Sequence, residues 1–369
     1  MKKYDFGLNW SGTIQEGFVN LLKAACKDKK LSFLWISDEN IKSVLRDLDG
    51  KKIAIKTLLD TEATYNKKDD LYARICYLVK DSGGAVINDP DRTKSAVDKS
   101  AIHYELINAG IPAPYTVIVR NWQPDTYCLS DEERKKIGIP FVIKPALGYG
   151  QLGVIRDARG SILEIAQARN FDRGDNFLLQ EKIIPIELGR KRAWFRVFNV
   201  FNSIIPCWWD DQRNLYEHVC YEEFNTFGLF PLVKIVSKIA GFTRMAWFST
   251  EVAIDKKNGR MRFLAIDYVN DQCDMGMQME TLSGVPDAVV KYTANHIVDT
   301  AHRFIHSKRV SKRYSIRLQD ARVELAGLGS APDLLNPALL QKKTNPDDFR
   351  YKVLRLFKES THNNSKACL

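Results

Sequence analysis

The chain predicts an α+β fold in which a small N-terminal α/β unit precedes a β-rich flap and a sheet that contains a long hairpin. Three observations carry that expectation. Short apolar runs of strand and helix length alternate through the first ninety residues. A glycine-rich stretch, Ala146 to Val154, follows directly on the strand-like run Phe141 to Pro145. Two apolar-rich runs, Phe248 to Ile254 and Met261 to Asp267, flank an Asp/Asn/Gly turn as the arms of an antiparallel hairpin. At 369 residues there is room for two or three domains and a substantial core.

In the N-terminal unit, residues 1–90, Ile14 to Ala25 carries apolar side chains at helical spacing. Leu31 to Ile36 and Lys52 to Leu58 read as short strands, and Leu71 to Val79 as a further apolar segment. Gly83 to Pro90 reads as a turn out of the unit. Between about 113 and 182, strands such as Tyr115 to Val119 and Phe141 to Ile143 are separated by a polar, Pro-containing loop, which predicts a β-rich lid with one or two helices. Gly148, Gly150 and Gly153 can take backbone angles closed to other residues and let successive amides approach an anion, with Lys144 as a point charge beside it. The stretch fits neither the GxxxxGK[ST] phosphate loop nor a dinucleotide-binding turn, because the lysine precedes the glycines.

Phe177 to Gly189 begins as a strand. The backbone of Gln180 to Ile183 suits the edge of a flat heterocycle and Ile183 its face. Arg192, Trp194 and Arg196 then alternate along a run that becomes mostly apolar. An unpaired guanidinium at Arg196 would be costly there, so it should meet a carboxylate or a phosphate, a structural salt bridge being the plainer outcome. In the hairpin, Glu251 and Asp267 lie eight residues on either side of Gly259 and are near neighbours across the ladder. With Asn270 they offer the few hard oxygens that Mg²⁺ takes while leaving the rest of its octahedron to water and phosphate. A solvated hairpin edge is the alternative.

Trp208 and Trp209 stand beside Asp210, Asp211 and Arg213, which fits either a wall for an acceptor or packing beneath the sheet. His218 has no evident ligand partner and reads as a hydrogen-bonding side chain. Pro286 to Ile305 is an amphipathic helix started by Pro and Asp, with Val289, Val290, Ala294, Ile297, Val298, Ala301 and Ile305 turned to the sheet. A last helix is expected around Asp320 to Leu328. Beyond Gly329 the chain is too polar to bury much surface, and partial disorder is expected.

The net charge of +10 raises nucleic acid as a partner, yet no zinc-finger spacing or helix-turn-helix is present, so nucleic acid is not expected. The densest basic run, Ser307 to Arg317 in a C-terminal extension over 307–369, is a solvated face or a polyanion contact. Seven cysteines without a CxxC pair point to reduced thiols rather than disulfides or structural zinc. No run of about 18 apolar residues could span a bilayer, and no secretory pattern is seen. A cytoplasmic protein without a membrane partner is the expectation.

Taken in order, Asp98-Lys99 and AGIPAP, VIKP, the glycine-rich loop, LQEKI, the arginine strand, Glu251 and Asp267–Asn270 resemble the ATP-grasp superfamily over roughly residues 90 to 275. The likeness is greatest to the ribosomal-protein-S6-modifying and glutathione-synthase-like carboxylate–amine ligases. It implies an ATP-grasp domain over 91–306, whose two α+β subdomains close on a shared cleft, preceded by a pre-ATP-grasp unit. It further implies adenine at Glu181, Lys182 and Ile183, ribose near Glu187, and phosphates at Lys99, Lys144 and the Gly148–Gly153 loop. Arg196 would stand by the γ-phosphate or acyl phosphate, with Arg196 and Lys144 as the catalytic cations. Glu251, Asp267 and Asn270 would hold two Mg²⁺ ions, for which Mn²⁺ could substitute. The family usually ends in Glu-x-Asn, whereas here the asparagine is displaced by one residue, so a β-bulge or Asp271 as an alternative ligand is expected.

The resemblance thus implies an ATP-dependent ligase that joins a small-molecule or peptide carboxylate, with acidic substrates compatible, to an amine. Self-association into a homo-oligomer is left open. The rival readings are a polyol or inositol-phosphate-like kinase of the same fold, a nucleotide-binding protein without turnover, and a nucleic-acid-binding protein.

Overall fold

The computed structural model describes residues 1–12, 16–148, 150–306 and 322–325. In the N-terminal unit β1 (Lys2–Asn9), α1 (Gly17–Asp28), β2 (Phe33–Ile36), α2 (Ile41–Asp49), β3 (Ile53–Asp60), α3 (Leu71–Asp81) and β4 (Ala85–Ile87) form a parallel sheet in the order β2-β1-β3-β4. One reading is made definite here and one is corrected. The apolar segment from Leu71 is a helix, capped by the Asp70 side chain on the Ala73 amide. The supposed exit turn contains a fourth strand, because Ala85–Ile87 still finds Thr57–Leu59 to pair with.

Helices α4 (Pro90–Ala96) and α5 (Lys99–Asn108) lead to the lid, made of β5 (Thr116–Val119), α6 (Asp131–Ile137), β6 (Phe141–Pro145), β7 (Ile155–Ala158), α7 (Ile162–Arg169) and β8 (Phe177–Glu181). Its antiparallel sheet runs β5-β8-β6-β7 over a core that includes Phe141, Ile143, Phe177 and Leu179. The short hairpin β9 (Glu187–Leu188) and β10 (Lys191–Arg192) then precedes the largest sheet. That sheet contains β11 (Trp194–Val200), β12 (Ser203–Asp210), β13 (Leu215–His218), β14 (Trp247–Lys257) and β15 (Arg260–Asn270) in the order β13-β12-β11-β14-β15, with β16 (Arg322–Val323) beside β12. Between β13 and β14 lie α8 (Tyr221–Thr226) and α9 (Phe230–Thr243), and α10 (Asp287–His306) follows β15.

Period-two alternation gives the large sheet two unlike faces. Phe195, Val197, Trp208, Val252 and Ala265 pack on α9. The opposite face is covered at one end by α10 and the N-terminal unit, through Phe198, Ile205, Trp247, Val290, Ile297 and Phe18. The predicted helix from Pro286 therefore lies on the sheet as expected, and the lid overhangs the rest of that face. Expectations for Ile14, for Ser307 to Arg317, for the helix around Asp320 and for the polar end fall wholly or largely outside the described residues. The six cysteines among the described residues are free thiols, and no described helix is long and apolar enough to cross a membrane.

Asn88, buried just after β4, joins the N-terminal unit to the large sheet. Its side chain accepts from the amides of Ala246 and Trp247 and donates to the Trp247 carbonyl. Asn88→Ala strands these buried groups and should destabilise the protein by about 2–3 kcal/mol in denaturant titration.

Candidate functional site

The hairpin arms meet at a two-residue turn, Asn258-Gly259, both with positive φ (52° and 77°), as a type I′ turn requires. Strand β14 therefore runs to Lys257, further than the sequence suggested. Glu251 pairs directly with Asp267 and, on its other side, with Arg196. Two irregularities interrupt β15. One leaves Ile266 unpaired, and the other sets Tyr268 and Val269 against Thr250 alone, so that Asn270 comes opposite Ser249. The second bulge absorbs the extra residue of DYVN and returns Asn270 to the face that carries Ser249, Glu251 and Asp267.

Above this face lies a cavity of about 400 Å³ lined by Lys99, Lys144, Gly148, Gly150, Glu181, Lys182, Ile183, Glu251 and Asp267. Each of these side chains has a local reason to be there. Asp98 caps α5 through the Ser100 and Ala101 amides, which makes Lys99 its first residue. The Lys99 ammonium donates to the Gly148 carbonyl at 2.7 Å and lies 3.8 Å from the Asp267 carboxylate. Lys144, on β6, donates at 2.8 Å to the carbonyl that the bulge frees at Ile266. Ile183 packs with Ala253, Leu264, Trp194 and Ile266 as an apolar floor.

Among the predicted residues, Gly153, Glu187, Arg196 and Asn270 lie outside the cavity lining. Gly153 turns the loop at φ +72°, where an added Cβ would come within 2.7 Å of Phe171. Glu187 is exposed on β9. Arg196 is held within the sheet face by Glu251, by the Ser249 hydroxyl at 3.3 Å and by the Trp209 ring at 5.3 Å. Of the two neighbouring tryptophans, Trp209 lines the cavity, while Trp208 faces away and donates to Glu223. His218 is a hydrogen-bonding side chain, 3.3 Å from the Glu324 carbonyl. Asp211, part of the wall suggested beside the tryptophans, lines the cavity, whereas the sequence reading missed Gln212 as a lining residue and Trp194, whose indole donates to Glu251 at 3.0 Å. The Arg192–Trp194–Arg196 alternation carried that last signal.

The site is electrostatically crowded. Burial pushes the Lys144 ammonium down to about 8, partly offset by Asp267 and Glu251. Burial would raise Asp267, but Lys99, Lys144 and Arg196 outweigh it and hold the carboxyl below the usual range. At Glu251 burial pushes the carboxyl up against the pull of Arg196. Asp271 is pushed up to about 7 by burial and by Asp60.

A buried carboxylate oxygen on Asp267, Oδ1, has no hydrogen-bond partner. That orphaned hard oxygen, beside Glu251 and on the face of Asn270, fits a divalent cation. Among the described residues, no three His, Cys, Asp or Glu side chains form a metal cluster by themselves, so an amide oxygen and outside ligands would have to complete the shell.

No protein-family model matches the chain. A D-alanine–D-alanine ligase of Rhodococcus opacus (strain B4) is 34% identical over 80 residues, a stretch that spans 21% of this chain and only 21% of that relative. Among solved structures, the chain is similar to a D-alanine–D-alanine ligase from Bacillus anthracis complexed with ATP. That likeness has TM-score 0.55 and 16% identity, over 82% of this chain and 98% of that one. D-cycloserine synthetase DcsG matches at TM-score 0.55 and 12% identity, over 80% and 99%. Macrocyclase MdnC from Microcystis aeruginosa MRC, bound with precursor peptide MdnA, matches at 0.53 and 10%, also over 80% and 99%. These likenesses define the architecture, a lid sheet over a large antiparallel sheet with an α/β unit in front, as the ATP-grasp fold. At 10 to 16% identity, these likenesses show the fold alone.

Proposed function

We propose that the chain is an ATP-dependent carboxylate–amine ligase that forms an amide or peptide bond through an acyl phosphate. The observation that carries this reading is the convergence of Lys99, Lys144, the glycine loop and the Glu251–Asp267 pair on one cavity. A ligase complexed with ATP, a synthetase and a macrocyclase among the similar folds support it. In this reading residues 1–90 are the pre-ATP-grasp unit, 91–306 the ATP-grasp domain with its lid at about 113–182, and 307–369 a basic extension.

Adenine lies on the Ile183 floor with its edge at the Glu181–Lys182 backbone, and the phosphates lie between Lys99, Lys144 and the loop. Glu187 can reach ribose only if its hairpin moves inward. Glu251, Asp267 and Asn270 would hold Mg²⁺, or Mn²⁺ in its place, which when bound supplies neutralising charge to the phosphate oxygens. A substrate carboxylate attacks the γ-phosphorus, the bond to the β-phosphate oxygen breaks, and ADP leaves. Lys144 stabilises the charge that develops, and Arg196, which lies behind Glu251, adds its positive field. An amine then attacks the acyl carbon, phosphate leaves with the former carboxylate oxygen, and the nitrogen gives up a proton. No side-chain nucleophile is needed, since positioning carries the step.

Phosphate release from ATP, screened with pooled carboxylic acids against pooled amines and followed by mass spectrometry, tests the reading. Phosphate is expected only when both pools are present, with a condensed product. A product that retains the phosphoryl group would replace the ligase with a kinase, and absence of nucleotide binding would remove both.

Lys144 also sets a pH dependence. With its ammonium at about 8 in the free protein and raised by bound phosphate, nucleotide affinity is fully present below pH 8. It should fall by up to about tenfold per pH unit above that. Calorimetric titration of ADP from pH 7 to 9.5 checks this, and Lys144→Arg, charged throughout, should flatten the fall.

A further inference from the structure

Tyr268 has no part in the chemistry above, yet it is fully buried directly behind the site. It belongs to the extra segment of the bulge, so its side chain leaves the Asp267 face and reaches around the edge strand beneath Lys144, whose ammonium lies 5.4 Å from the ring centroid. The hydroxyl accepts from Gln180 Nε2 at 3.0 Å and meets His103 Nδ1 at 2.8 Å. The His103 ring also stacks on it at 5.7 Å. Gln180 is on lid strand β8, and His103 is on α5, the helix that begins with Lys99. Burial drives His103 down to about 4, so its neutral ring can accept the tyrosine proton.

We propose that Tyr268 is the positioning residue for Lys144. Its ring, fixed by His103 and Gln180, and the Ile266 carbonyl freed by the neighbouring bulge together hold the ammonium towards the phosphates. A lysine has four rotatable side-chain bonds and strong hydration, so a single hydrogen bond would leave it a choice of poses in so polar a cavity. The face of an aromatic ring attracts a desolvated cation without competing for its remaining N–H donors. The irregular DYVN thus has two effects at once: Asn270 regains the ligand face, and a ring is placed under the lysine. The inference rests on the nucleotide reading of the cavity.

The test is metal-free ADP binding by calorimetry at pH 7 for wild type, Tyr268→Met, Tyr268→Phe, Lys144→Met and the Lys144→Met/Tyr268→Met double variant, with thermal unfolding of each. Tyr268→Met should weaken binding by about tenfold. Tyr268→Phe should recover most of that loss although it gives up both hydroxyl hydrogen bonds and unfolds earlier. In the Lys144→Met background the Tyr268 change should have no further effect on affinity, which a merely structural role would not produce. The proposal is overturned if the methionine effect persists without Lys144, or if the phenylalanine variant loses as much affinity as the methionine one. Should Tyr268→Met not fold, the phenylalanine variant decides alone: a tenfold loss overturns the proposal and retained affinity supports it. If wild type binds no ADP, the nucleotide reading itself fails, which is a different outcome from binding that ignores Tyr268.

Discussion

Asp267→Asn should abolish turnover, by about a thousandfold or more, in a protein that still folds and still binds ADP without metal. The expected loss is large because divalent charge at phosphate oxygens supplies several kcal/mol of transition-state stabilisation, and the amide is a poor ligand where the carboxylate was. The fold should be spared. Asp267 Oδ1 has no hydrogen-bond partner to lose, and the backbone carbonyl keeps its bond from the Thr250 hydroxyl. Metal-free ADP binding at pH 7 should be retained, since Lys99 and Lys144 lose a competing anion 3.8 Å from the first of them, which offsets the further fall of the Lys144 ammonium once Asp267 no longer supports it. The measurements are phosphate release with the substrates found by screening and calorimetry with and without Mg²⁺. Unchanged turnover would remove Asp267 from the metal site. Loss of metal-free ADP binding would show that the carboxylate shapes the pocket instead.

The hairpin was legible because three independent signals coincide there: apolar runs, an Asn-Gly turn, and acids at matching distances from it. The helix from Leu71 was less so, since its apolar positions are dense enough to suit either element, and the Asp70 cap only shows its value once the Ala73 amide is seen to need it. Strand Ala85–Ile87 is three residues long and owes its existence to β3, which no local pattern reveals. In the site, Lys144, Glu251 and Asp267 were within reach because each is a charged residue at the end or in the middle of an apolar run, whereas Lys99 was reached only through the resemblance of the ordered series. The bulge is written in the pairing register rather than in any burial alternation, since Tyr268 and Val269 together oppose Thr250, and it explains why an asparagine one place late still shares the face of Asp267. Trp208 and Trp209 could not be assigned by composition, but period two separates them: one goes under the sheet and one over it. Glu187 shows the limit of ordered motifs, because its place in the series is kept while its short hairpin leaves it at the surface.

Arg196→Met should cost about 3–5 kcal/mol of stability, the largest loss expected for any single change in the site. The guanidinium and Glu251 form a close ion pair whose side chains are only 14% and 15% exposed, and truncating one partner leaves the other charge buried without its counterion. Trp194 still donates to Glu251, but a single indole N–H cannot replace a cation. The sign of the pH dependence follows. Without Arg196, burial raises the Glu251 carboxyl further above its unfolded value, so the deficit is full at neutral pH and shrinks as pH falls and the folded carboxyl takes up a proton. Urea titrations at pH 7 and pH 5 should therefore differ less for the variant than for wild type plus a constant loss. Adding Glu251→Gln to Arg196→Met should restore much of the stability, because a neutral, hydrogen-bonded pair no longer buries a lone charge. It should restore no activity, since both a candidate metal ligand and the cation proposed to act beside it are gone. A double variant as unstable as the single one would mean that Arg196 acts through its packing on Trp209 rather than through Glu251.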